Sequence, residues 1–415
     1  MCRYPFFLLL LLFVSCEETS APFSTYRPLD DRDSVRWASI RQWQGGPPPT
    51  WEPLLWRYQL GDTTETLHYD LRPLPAPDSL VRLPHRLVHP NRAMWYRTRV
   101  RFGHDQLLYV NADDGAQVFV AGAQVPQALP NSFRIPATED SVDLHIRVLN
   151  NAMAGGLRQA RFSPWEEGLT FYSRQDWAAQ LLAGPPPWDT VVQVQPLLIA
   201  EPYWQRRADE QYRLRFVTAA TGPATLHWGR SAGQLTETRQ PALAEAGVLE
   251  FAWPASELPD TCFYQLRQGG SQSPVYHWST AAERAGFTFT AWGDSQGGWP
   301  TFARLSRLMA ADHPDFSIGL GDLVSDGALH TQWFDFLASL GPVAGQTVVY
   351  PVVGNHDYDG FYDDLIPALY QRYIREDTYF AWRYRNCYFV ALDPNEQFPL
   401  GFSDKQQAWL RAQMA

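Results

Sequence analysis

A chain of 415 residues has room for two or three domains, each able to bury its own core. With 45% hydrophobic and 14% aromatic residues it reads as globular, and its 17 Trp lean towards β architecture without fixing a role. The net charge of −10, with Lys405 the single lysine, argues against a nucleic-acid partner, because phosphate-backbone binding relies on Lys and Arg.

In chain order, Arg3 supplies a positive start and residues 6–14 form an apolar run. Spanning a bilayer takes about 20 apolar residues, so residues 1–16 are expected to be a signal peptide rather than a transmembrane anchor. The run ends in "FVSC", which resembles the lipobox of bacterial lipoproteins. That resemblance implies that Cys16 becomes the acylated first residue of the mature chain. The protein would then be exported and held on a bacterial membrane, periplasmic or at the cell surface, by lipid on Cys16. A plain cleaved signal peptide is the alternative. Of the remaining cysteines, Cys262 and Cys387 fall in different expected domains, so two buried free thiols are expected and no Cys-based metal site.

Residues 17–35 are polar and irregular and read as a tether. From 36 to 165 short alternating strands dominate. "YRTRVRF" (96–102) alternates, and in "SVDLHIRVL" (141–149) Val142, Leu144, Ile146 and Val148 share one face. "AQVFVAGAQV" (116–125) reads as two strands joined at Ala121-Gly122. This is a β-sandwich pattern. The pieces "LPHR", "WYR", "DDGAQVFVAGAQV" and "NNAMAGGL", in that order, resemble the galactose-binding-like sandwich of β-galactosidase-type glycosidases. The resemblance implies carbohydrate as a partner at this sandwich, with a structural spacer as the alternative.

A helix is expected over "SRQDWAAQLL" (173–182). It leads into "AGPPPW" (183–188), whose three prolines suit neither a helix interior nor a central strand, so 166–194 is a helix and linker. Strands return over 195–282. There the order of "LHWG", "ELPDTCFYQL" and "SPVYHWST" resembles the fibronectin-III-like domain that precedes the catalytic domain of purple-acid-phosphatase-like enzymes.

From 286 to 415 strands alternate with helices, the signature of an α/β domain. "GFTFTAW" (286–292) is a strand. A helix follows with Pro300 at its start and Phe302, Leu305, Leu308 and Met309 on one face. "DFSIGL" (315–320) and "TVVYPVV" (347–353) are further strands, with a helix near 328–340 between them. "YFAWRYRNCYFVALD" supplies one or two more, and a closing helix has Ser403 as its N-cap. The fold class expected is therefore multidomain: two all-β sandwiches followed by a partial α/β domain.

Three successive strands end in Gly-Asp or Gly-Asn: "WGDSQGG" (Asp294), "LGDLVSDG" (Asp322) and "VGNHDYDG" (Asn355, His356). In open α/β sheets ligands gather at the carboxyl ends of strands, so these loops can converge. They present hard oxygen donors and one imidazole, the chemistry of a two-metal site that polarises a phosphoryl oxygen and activates water. Together they closely resemble the calcineurin-like metallophosphoesterases, and the preceding sandwich narrows this to the purple-acid-phosphatase-like branch. The resemblance implies hydrolysis of a phosphate ester with two divalent or trivalent ions (Fe, Mn or Zn). By it Asp294 binds the first ion, Asp322 bridges both and Asn355 binds the second. His356 contacts phosphoryl oxygens or protonates the leaving group, and Asp357 orients His356.

Two departures stand out. Many relatives carry Asp-x-His in the first motif where this chain has Asp-Ser-Gln, and purple acid phosphatases place a Tyr where Ser325 stands. Gln296 is thus a candidate amide-oxygen ligand, and it holds a metal more loosely than imidazole or tyrosinate. The family also completes its site with later histidines. Here none follows His356, and His313 and His330 read as solvated surface positions. The resemblance therefore implies an incomplete catalytic domain, a fragment rather than a degenerate enzyme, because a sheet lacking its last strands exposes an apolar edge and face. The alternative to a metal-dependent hydrolase is a surface glycan-binding lipoprotein with an inactive phosphatase-like domain.

Overall fold

The computed structural model describes residues 21–28, 34–63, 79–150, 154–183, 197–207, 211–245, 247–279, 286–358, 366–397 and 401–414. Cys16 and the signal segment lie outside these residues, as does most of the proline-rich stretch. No helix among the described residues is long and apolar enough to cross a membrane.

The first β region consists of two antiparallel sheets. In one, strands 79–81, 56–63, 92–100, 142–150, 116–120 and 123–125 lie side by side in that order; in the other the order is 127–129, 132–135, 106–112, 157–164. Alternation drives them together: Leu144, Ile146 and Val148 from the first sheet meet Leu108, Phe133, Ile135 and Phe162 from the second in one core. Val142 packs at its margin, as the pattern predicts. The tight turn at Ala121-Gly122 is present, with φ of +49° and +86°.

The structure corrects several expectations here. Residues 21–25 are not a loose tether. Ala21–Pro22 adds in parallel to Ser271–Gln272, Ser24–Thr25 pairs with Leu197–Leu198, and the buried Tyr26 donates its hydroxyl to Asp335 at 2.5 Å. Apolar Phe23 and Tyr26 supply the burial that a solvated linker lacks. The strand-rich region opens with a helix, Ser34–Gln44, and the expected helix at 173–182 is two, Trp165–Ser173 and Trp177–Ala183.

The second β region does not end where the α/β region begins. A single seven-stranded sheet runs 243–245, 248–254, 211–217, 203–206, 348–352, 316–320, 289–292, joined by the parallel pair Trp204–Val348. A buried ion pair reinforces the junction: Arg215 Nε donates to Glu250 at 2.6 Å while its Nη1 donates to the Ile374 carbonyl at 2.7 Å. One core accordingly holds Trp204, Trp253 and Trp278 together with Phe316, Tyr350 and Trp382. Tyr350 stacks on Trp382 with centroids 4.1 Å apart. Thus the edge at Val348–Val352 is paired, whereas the opposite edge strand carries Phe289, which is 46% exposed.

Helices Trp299–Ala311 and His330–Ala344 cover the other face of the three parallel strands, with Phe302 stacked on Phe336. Pro300 sits in the first turn as expected, but the buried face is Phe302, Ser306 and Ala310; Leu305 and Leu308 point outward. The Ser306 hydroxyl earns its burial by donating to the Leu340 carbonyl. A hairpin, Phe380–Tyr384 and Cys387–Ala391, precedes the last helix, Asp404–Met414, where Ser403 Oγ accepts the Gln406 amide as an N-cap. Cys262 and Cys387 are free thiols; Cys262 is buried, which pushes its pKa up to about 12, but Cys387 is half-exposed.

Candidate metal centre and cavity

The register of the parallel strands places the three loops level. Trp292 pairs with Gly319, and Leu320 pairs with Val352, so Asp294, Asp322 and Asn355 all follow within two or three residues of the last paired position. The strand ending at Leu320 is central, which makes Asp322 the residue flanked by both other loops. Backbone contacts lock this order. Asp294 N donates to the Gly321 carbonyl at 3.1 Å, and His356 N donates to Asp322 Oδ1 at 3.3 Å. Ser295 Oγ adds a bond from the first loop to the Leu323 carbonyl.

Both aspartates occupy the left-handed backbone region, Asp294 at φ +52° and Asp322 at φ +50°. Non-glycine residues seldom sit there, and such strain concentrates at functional sites. Glycine is required beside them. A Cβ on Gly354 would lie 2.2 Å from the Asp322 nitrogen and 2.3 Å from its Oδ1, so only hydrogen lets the third loop pass the second.

Asp357 holds this crossing. It is fully buried, its Oδ1 accepts the amides of Leu323 and Val324 at 2.8 and 3.0 Å, and its Oδ2 accepts that of Gly354 at 2.7 Å. Burial pushes its carboxyl well above the usual carboxylate range, against the pull of these three donors. The expected contact between Asp357 and the His356 ring is not the one formed. Both carboxylate oxygens are turned to the backbone of the second and third loops.

His356 finds other partners. Its Nδ1 lies 3.2 Å from the Ser325 carbonyl, and its Nε2 lies 3.6 Å from Asp114 Oδ1. A carbonyl only accepts, so the first contact places a proton on Nδ1 and leaves Nε2 facing Asp114 and the cavity. Gln296 donates its amide N–H to Asp294 Oδ1 at 2.7 Å. His313 is exposed, as expected, but His330 is not a solvated residue. Its Nδ1 meets the Tyr373 hydroxyl at 2.5 Å, its backbone amide donates to Asp176, and burial lowers its pKa to about 4.

The donor set is two carboxylates, Asp294 and Asp322, and two side-chain amides, Gln296 and Asn355. Hard oxygens of this kind fit a hard di- or trivalent cation. Among the described residues no three His, Cys, Asp or Glu side chains gather at one point, so the amides are needed to complete any coordination sphere.

Over these loops lies a cavity of about 510 Å³. Its floor includes Gln296, Ser325, Asn355 and His356, and its opposite wall comes from the first sandwich: Tyr109, Asp113, Asp114, Asn131 and Arg158. Asn131 Nδ2 donates to Asp326 Oδ2 at 3.1 Å, fastening the two walls. Burial raises the Asp326 pKa. The sandwich residues escape sequence reasoning because nothing local links residue 114 to residue 356. The one signal is the "DDG" turn, two carboxylates beside a glycine, Gly115, at φ +101°.

Residues 287–404 match the model of the calcineurin-like phosphoesterase family. No curated protein sequence matches the chain. Among solved structures, PhoD is 14% identical with a TM-score of 0.40, over 50% of this chain and 53% of that one. A purple acid phosphatase from yellow lupin seeds is 11% identical with a TM-score of 0.44, over 77% of this chain and 66% of its own. A β-glucuronidase from Faecalibacterium prausnitzii is 10% identical with a TM-score of 0.23, over 79% and 60%. The chain thus spans about half of PhoD and just under two thirds of the lupin enzyme. A β-rich N-terminal region is followed by the segment 287–404 that matches the calcineurin-like phosphoesterase model.

Proposed function

We propose that the protein is a metal-dependent phosphoric ester hydrolase, acting as a phosphomonoesterase or phosphodiesterase. The observation that carries this reading is the convergence of Asp294, Asp322, Asn355 and His356 on adjacent loops within the segment that matches the phosphoesterase family. Asp294 with Gln296 would hold one ion, Asn355 a second, and Asp322 both. When bound, such ions supply Lewis-acid polarisation of the phosphoryl group and lower the pKa of water. The chain's own part is positional and protonic. The loops fix the carboxylates through Asp357, and the Ser325 carbonyl holds the His356 tautomer. With Nδ1 protonated, Nε2 carries a proton only in the imidazolium, the form in which it can donate to a phosphoryl oxygen or pass a proton to the leaving oxygen.

The reading extends to the rest of the chain. The first β region is taken as galactose-binding-like and the second as fibronectin-III-like. The "FVSC" segment is taken as a lipobox that places the protein on a bacterial envelope through Cys16. The test is turnover of phenyl phosphate and of a bis-aryl phosphate diester with added Mn²⁺, Fe²⁺ or Zn²⁺. Metal-stimulated release of phenol from one of them is expected, and none from either with all three metals contradicts the proposal.

A further inference from the structure

We infer that the first sandwich is the substrate-selecting wall of this site and that it reads a hydroxyl-rich alcohol, so that the ester cleaved is a phosphorylated sugar or polyol. The inference rests on the hydrolase reading above and adds to it the substrate class. The cavity of about 510 Å³ falls within the roughly 300–1,000 Å³ of small-molecule pockets, leaving room for an alcohol portion beyond the phosphoryl group. The far wall is mainly polar: Asp113, Asp114, Gln127, Asn131 and Arg158 stand beside Tyr109, Ala112 and Pro130. An alkyl or aryl alcohol would gain little from burial against the charged and amide groups. A hydroxyl both donates and accepts, and this wall supplies both partners: carboxylates accept, the guanidinium donates, and the amides do either.

The arrangement is built rather than incidental. Arg158 pairs with Asp113 on the adjoining strand end, setting a donor fork beside an acceptor, and the Asp113 side chain is only 19% exposed. Asp114 reaches the reacting end, 3.6 Å from His356 Nε2. Asn131 pins the wall to the second loop through Asp326. The alcohol leaving from a phosphoryl group beside His356 would therefore face Asp113 and Arg158.

The test uses the full chain and its Arg158→Gln and Asp113→Asn variants, with glucose 1-phosphate and phenyl phosphate as substrates in Mn²⁺. Calorimetric binding of glucose 1-phosphate and of inorganic phosphate is read beside it. Each variant is expected to lower kcat/KM and affinity for glucose 1-phosphate roughly ten- to hundred-fold while phenyl phosphate stays within about threefold. Equal losses for both esters, or none for either, would overturn the inference, as would a wild-type chain that hydrolyses both without preference. If neither ester is hydrolysed, the binding arm decides: affinity above that of inorganic phosphate and lost in the variants upholds the sugar-reading wall while the hydrolase reading fails. Affinity no better than that of inorganic phosphate overturns the wall as well.

Discussion

The two walls of the cavity are assembled in opposite ways. The floor is local: Gln296, Ser325, Asn355 and His356 line the cavity from the three loops that also carry Asp294 and Asp322, set level by parallel pairing and tied by hydrogen bonds from backbone amides. The far wall is imported from more than a hundred residues away, from a turn at 113–115 and from residues 131 and 158 of a separate β-sandwich. The floor is rigid because a buried carboxylate, Asp357, gathers three amides from two loops. The wall meets the floor through side chains, Asn131 to Asp326 and Asp114 to His356. On the proposed reading, chemistry common to many substrates would belong on the rigid floor and selection among them on the wall.

That contrast can be broken most severely at Asp357. Asp357→Ala strands three buried amides and is expected to cost about 3 kcal/mol or more, with loss of metal binding. Chemical denaturation and a metal titration read both, and a variant as stable as wild type would remove Asp357 from the floor's scaffold. Gly354→Ala comes next. Its methyl would collide with Asp322, and about 1–3 kcal/mol of destabilisation is expected from such overpacking. Unchanged unfolding together with unchanged metal affinity would show that the crossing is not tight.

A third test concerns the support behind the floor. Asp176 caps two helices at once, accepting the Ala179 amide at 3.2 Å and the His330 amide at 2.6 Å, and burial raises its pKa to about 6. His330, lowered to about 4, is neutral in the fold and binds a proton only on unfolding as pH falls below its ordinary value of 6.5. Its contribution is therefore lost as pH drops from 6.5 towards 4. Asp176 acts in the opposite sense: the fold holds its proton up to about pH 6, so its contribution is present at low pH and lost as pH rises through 6. Relative to wild type, His330→Asn should gain stability as pH falls from 6 to 4, and Asp176→Asn should lose it. Thermal unfolding across pH 4–7 reads the slopes, and slopes of the same sign would contradict the assignment. The smallest effect is expected at Gln296. Its amide bonds Asp294 at an exposed position, so Gln296→Ala should cost below about 1 kcal/mol in denaturation. A weakened metal affinity in the same variant would sharpen its place as a ligand.

The floor was legible from the residues because its signals are local. Gly-Asp at a strand end marks both the turn and the side chain it presents, and parallel strands spaced by helices bring such turns together. Periodicity likewise marked the strands 142–150, 316–320 and 348–352. It misled at Leu305 and Leu308, where the polar Ser306 takes the buried position because its hydroxyl finds the Leu340 carbonyl. The docking of residues 21–26, the sheet shared through Trp204 and Val348, and the wall at Asp113, Asp114 and Arg158 depend on contacts between residues more than a hundred positions apart. No local pattern encodes those. Asp357 shows the limit within a motif: its place beside His356 in the sequence suggested a side-chain partner, but the 3₁₀ turn at Asn355–Asp357 directs the two side chains to different neighbours.

The central claim, that Asp322 is the hub of a metal-binding floor, is tested most directly by equilibrium dialysis of the full chain and its Asp322→Asn variant against Mn²⁺. Bound metal in the wild type and a fall in affinity of at least about a hundred-fold in the variant are the results the account requires, since even residues that only support metal ligands are worth ten- to hundred-fold. Equal binding by the two chains, or no binding by the wild type, would contradict it.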